Sequence, residues 1–188
     1  DSADALARET YEIYKTGHPR LAALAFDVTV LWMKRGHFAR ALFVLRELPP
    51  FITEEIERAR VLAVLARAAA ACGNEQLFAD AWRQAWETFE KPGMQRRAGP
   101  DFLELGLGAS SLEKWEMAER AIRRSLELSI KIGETDVQAQ AETALAAIEE
   151  RRVAERDRNP IDTRTQPAAD TLAPRFIASL RETAKAAA

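Results

Sequence analysis

Apolar residues recur at helical spacing along almost the whole chain, and turn signals built on Gly and Pro cut that pattern into stretches of ordinary helix length. The first stretch, about Ala3 to Lys15, stops at Thr16-Gly17-His18-Pro19, where glycine can take a left-handed turn and proline blocks continuation. The second runs from about Arg20 to Arg35 and stops at Gly36. Leu21, Ala25, Val28 and Trp32 form one stripe along it, and Ala23, Phe26, Val30 and Met33 form another. A helix apolar on two sides must be covered twice, or must offer one side to a partner. The third stretch, His37 to Leu48, carries Phe38, Ala41, Leu42 and Leu45 and ends at Pro49-Pro50. The short link between the second and third makes them antiparallel neighbours.

A fourth helix is expected from about Thr53, read as its N-cap, to Cys72 before Gly73. The fifth, about Glu75 to Lys91, sets Phe78, Trp82, Trp86 and Phe89 on one aromatic face, which inter-helix packing requires more often than a ligand does. The sixth opens at Pro100 and runs to about Ser111. The seventh carries Trp115, Ala118, Ile122 and Leu126 and ends at Gly133. The eighth begins at Thr135, with a capping box to Gln138, and continues to around Arg156. Residues 157–173 change to Asn, Pro, Asp, Thr and Gln and read as an exposed linker. A short amphipathic helix within residues 174–188, with Phe176, Ile177, Leu180 and Ala184 on its apolar face, closes the chain. Being too short to stand alone in water, it needs a surface, either on its own chain or on a second copy, where it would make a homodimer.

Helix pairs align on one another. Val28, Leu65 and Leu105 share a column, as do Thr29, Ala66 and Gly106, then Trp32, Ala69 and Ala109, then Gly36 and Gly73, then Ala41, Ala79 and Ala118. Units near residues 22–55, 59–93 and 99–133, with a partial unit at 137–156, follow a lone helix at 3–15; their spacing falls in the range of solenoid repeats. The stretch Leu31-Trp32-Met33-Lys34-Arg35-Gly36-His37-Phe38-Ala39-Arg40-Ala41-Leu42 resembles the centre of a tetratricopeptide repeat, and Leu105-Gly106 with Trp115-Glu116-Met117-Ala118 resembles the same motif. The third unit departs from it by carrying Glu113 where the turn glycine stands elsewhere. The resemblance implies an all-α fold over residues 1–156, an α-α solenoid of antiparallel pairs with about eight helices plus the short C-terminal one. The units are longer than the family's usual repeat and are similar to those of bacterial regulatory proteins. The first segment resembles the second helix of a unit whose first helix is missing, which, with Asp1 in place of a methionine, points to a piece of a longer protein.

Charge and composition narrow the function. The net charge of −2 gives no reason to expect nucleic acid or an anionic membrane as ligand. Cys72 is the single cysteine, so no disulfide framework exists, and a reducing, cytoplasmic setting is the natural expectation. His18 and His37 are the only histidines and neither stands in a catalytic motif; no metal-ligand spacing and no glycine-rich phosphate loop occurs. The chain is therefore read as non-catalytic, with no cofactor.

What the resemblance implies is a scaffold that binds a protein or peptide on the concave face made by the first helix of each pair. In that register the face carries Phe26, Val30, Met33 and Lys34 in the first unit, Arg60 and Arg67 in the second, and Leu103 and Leu107 in the third. Apolar positions beside a basic centre suit a segment with apolar anchors and an acidic residue or free carboxylate. The alternative is a ligand-sensing or dimerisation module of a larger bacterial transcriptional or signalling regulator.

Overall fold

The computed structural model describes residues 2–14, 17–151 and 172–187. The chain is all-α: the described residues form nine α-helices and no strand. They are α1 Ser2–Tyr14, α2 Leu21–Lys34, α3 Phe38–Leu45, α4 Glu55–Ala71, α5 Glu75–Phe89, α6 Gly99–Ser111, α7 Trp115–Ile132, α8 Thr135–Glu149 and α9 Leu172–Ala187, with 3₁₀ turns at Pro49–Phe51 and Met94–Arg97.

Three of the connections are built alike. After α2, α4 and α6 the chain turns through Gly36 (φ 79°), Gly73 (φ 74°) and Glu113 (φ 59°). At each, the amide one residue further on reaches back to the carbonyl of Trp32, Ala69 or Ala109, while the turn residue's own amide bonds Met33, Ala70 or Ser110. This paired bond satisfies the carbonyls that a helix end leaves open, and it requires the left-handed backbone that glycine adopts without cost. Glu113 takes that conformation with a side chain attached. Arg151, after α8, does the same (φ 49°) and donates its amide to Ile148.

His37, Asn74 and Lys114 then open α3, α5 and α7. Of these, Asn74 caps with its side chain, accepting from the Leu77 amide at 3.1 Å. Phe78 occupies in α5 the place of Ala41 and Ala118, since the amides of these three bond the carbonyls of Asn74, His37 and Lys114. The expected column is thus one residue out at Ala79, which is exposed. Thr53 and Thr135 are not caps either: Glu54 and Glu134 hold those positions without a side-chain cap bond.

Each link joins helices that pack together: α2 on α3, α4 on α5, α6 on α7. Successive pairs meet through α2, α4, α6 and α8, with α4 also resting on α3, and α8 on α7. Small residues permit the approach. A Cβ on Gly106 would lie 2.3 Å from Ile122 Cγ1 on α7, and one on Gly108 would lie 3.1 Å from Arg67 Cα on α4. The aromatic face of α5 is core: Phe78, Trp82 and Trp86 contact in series, and Trp86 and Phe89 both pack on Phe102 of α6 at ring distances of 5.0 and 5.5 Å. Burying each such ring contributes roughly 1.5–3 kcal/mol.

The last helix returns to the other end of the molecule. α9 packs on α2 and α3, burying Leu172, Ala173, Phe176, Ile177 and Leu180. Tyr11 of α1 bonds Ser179 Oγ at 2.7 Å and stands edge-on to Phe176. Arg175 pairs with Glu12, Arg181 with Glu47 at 2.6 Å, and the Gly17 amide donates to Thr183 Oγ1 at 2.8 Å. The apolar face expected on this helix is buried within the same chain, apart from Ala184, which is exposed. The helix begins at Leu172, two residues before Pro174, whose missing amide costs nothing in a first turn. Residues 152–171, which include most of the expected linker and the expected end of the eighth helix, lie outside the described residues.

Candidate functional site

The eight positions expected to face a partner differ in exposure. Met33 and Leu103 are buried in the core, Phe26, Val30 and Leu107 are half-buried, and Lys34 is exposed. Arg60 and Arg67 differ most from expectation. The guanidinium of Arg67 bonds both oxygens of Glu104 on α6, at 3.0 and 2.8 Å. Arg60 bonds Glu57 at 2.6 Å and lies 3.6 Å from Asp101 on α6. Both cations thus join α4 to α6, and the basic centre expected there is already neutralised from within. The reason is that α6 turns Asp101 and Glu104, one helical turn apart, toward the same side of α4.

Around Asp101 the carboxylates outnumber the cations. Burial pushes its carboxyl up to about 7; Arg60 lowers it, while Glu104, Glu57 and Glu134 raise it further. One oxygen of Glu134 and the hydroxyl of Ser129, both close to Gly99 at the start of α6, are buried without a hydrogen-bond partner.

Phe26, alone of the eight, lines an open groove of about 210 Å³ between α2 and α4. Pro19, Ala22, Ala23 and Phe26 form one wall; Glu54, Glu57 and Val61 form the other; Phe51, Ile52 and Thr53 close the end. Phe51 and Ile52 are half-buried. The segment is shaped from behind by Arg58, whose guanidinium donates to the Ile52 and Thr53 carbonyls at 2.9–3.1 Å. Phe51 and Ile52 were not expected at a site, although a signal existed: they are large apolar residues after Pro49-Pro50, in a connection where no helical stripe accounts for them. A second groove, between α4 and α5, is polar, and its Lys91 and Glu55 pair with each other.

His18 stacks on Tyr14 at 4.1 Å and its Nδ1 accepts from the Arg20 amide, and His37 opens α3 without a side-chain cap bond. No cluster of three or more metal-ligating side chains occurs among the described residues, and no described helix is long and apolar enough to cross a membrane. No protein-family model, curated protein or solved structure matches the chain.

Proposed function

We propose that this chain is a non-catalytic scaffold, similar to a tetratricopeptide array, that binds an extended segment of another polypeptide on the face made by α2, α4, α6 and α8. In this reading α2 to α8 form an α-α solenoid of antiparallel pairs. The turns at 36, 73 and 113 support it, because they recur with one backbone geometry and fall at repeated intervals between the helices, and Arg151 takes the same left-handed conformation at the next interval. The packing order supports it too: each first helix rests on the next, as stacked pairs require.

The observation that carries the proposal is the groove between α2 and α4. It joins half-buried aromatic and aliphatic side chains from two successive first helices to a polar edge, the composition by which extended peptides are anchored. Peptides selected from a random displayed library on the full chain test it. Phe26→Ala with Phe51→Ala should weaken the selected peptides about tenfold or more, since each removes a contact surface worth at least 1 kcal/mol. Equal binding to the double variant would remove this groove from the proposal.

A further inference from the structure

The groove is apolar at its floor and acidic at its rim, and the two features together describe an occupant. Among the described residues, its only charged lining residues are Glu54 and Glu57. Glu54 is exposed and makes no ion pair among the described residues. Glu57 shares the Arg60 guanidinium with Asp101, so one cation serves two carboxylates. A further cation of α4, Arg58, lines the groove on the far side of that helix, with its guanidinium held on backbone carbonyls. The two arginines balance these carboxylates in number but are not among the groove's lining residues, one held on backbone carbonyls and the other shared with Asp101, so the charges that face an occupant directly are both negative. An acidic ligand would meet Glu54 directly and would find Arg60 and Arg67 already engaged.

We infer that the groove takes a short basic segment of a partner protein, with a large apolar side chain against Phe26, Phe51 and Ile52 and a neighbouring lysine or arginine on Glu54 and Glu57. This rests on the scaffold reading and reverses the polarity that the sequence alone led one to expect. Arginine suits the place best, because its planar fork can engage a carboxylate with two parallel bonds. A cation docked on Glu57 competes with that carboxylate's bond to Arg60 and frees the guanidinium for Asp101, so the pocket needs no additional counter-charge.

Three pools of labelled short peptides test the inference. All carry Phe, Leu or Ile at two central positions, flanked by Lys and Arg in one pool, by Asp and Glu in another, and by Ser and Gln in the third. Each is titrated with the full chain by fluorescence anisotropy at low and high salt. The basic pool should bind about fivefold or more tighter than the acidic one, the size expected of one or two exposed ion pairs, and salt should shrink the gap. Glu54→Gln should reduce the preference and Glu54→Lys should reverse it; circular dichroism checks that both variants keep their helix content. If the basic and acidic pools bind alike, or the acidic pool binds better, while Phe26→Ala weakens both, the charge assignment is overturned and the scaffold reading stands. If no pool binds in a way that depends on Phe26, both fall.

Discussion

At Glu113 the backbone holds φ at 59°, a conformation that costs an L-residue roughly 1–2 kcal/mol and glycine almost nothing. The equivalent turns use Gly36 and Gly73. Glu113→Gly should therefore stabilise the protein by about 0.5–1 kcal/mol, after allowance for glycine's greater freedom in the unfolded chain; a denaturant midpoint that falls would contradict the shared geometry. Asp101 carries a second residue-scale prediction. Well below pH 3.8 its carboxyl is protonated in both states, and its burial carries no electrostatic cost. As pH rises from 3.8 toward about 7 the unfolded chain releases the proton while the folded one keeps it, so folding is progressively disfavoured. Asp101→Asn should remove this loss: the variant gains on the parent through that window and is more stable by about 1–3 kcal/mol at mildly alkaline pH. A parallel pH dependence in the two proteins would show that Asp101 does not titrate there. The turn glycines were legible from sequence because their need for φ > 0 is local. The engagement of Arg60 and Arg67 was not, because it depends on which side of α6 meets α4.

Elements were read better than their ends. The stripes of α2, α5 and α7 identify core faces without reference to any partner, and the rings of Phe78, Trp82 and Phe89 are buried accordingly. Caps failed at Thr53 and Thr135 because a hydroxyl before a helix is only an opportunity; the chain starts each helix one residue away from the place expected. The amphipathic character of α9 was legible, but not where it docks, since twenty residues separate it from Arg151 and sequence carries no record of their path. Its attachment to α1, α2 and α3 makes a firm prediction. Phe176 is fully buried, so Phe176→Ala should cost about 3 kcal/mol or undock the helix. Amide exchange should then quicken in α1 and α9 while α4 to α7 keep their protection. Uniform loss of protection, or none, would mean that α9 is not a separate contributor to that end.

For the molecule as a whole, the proposed solenoid rests on repeated turns, small residues at helix crossings and contacts among α2, α4, α6 and α8, and the proposed site rests on the groove beside Phe26 between α2 and α4. The all-α class followed from periodicity because helical spacing and scarce glycine leave few other solutions. The groove was not legible in the sequence, because it is made by side chains from a helix, a connection and another helix, and no single stripe announces it. The most direct test is to titrate the isotope-labelled full chain with a selected peptide and map amide shift changes by NMR. The account predicts changes concentrated at residues 19–26 and 51–61, absent in the Phe26→Ala variant. Changes centred on α3, α5 or α7, or an unaltered response in Phe26→Ala, would contradict it.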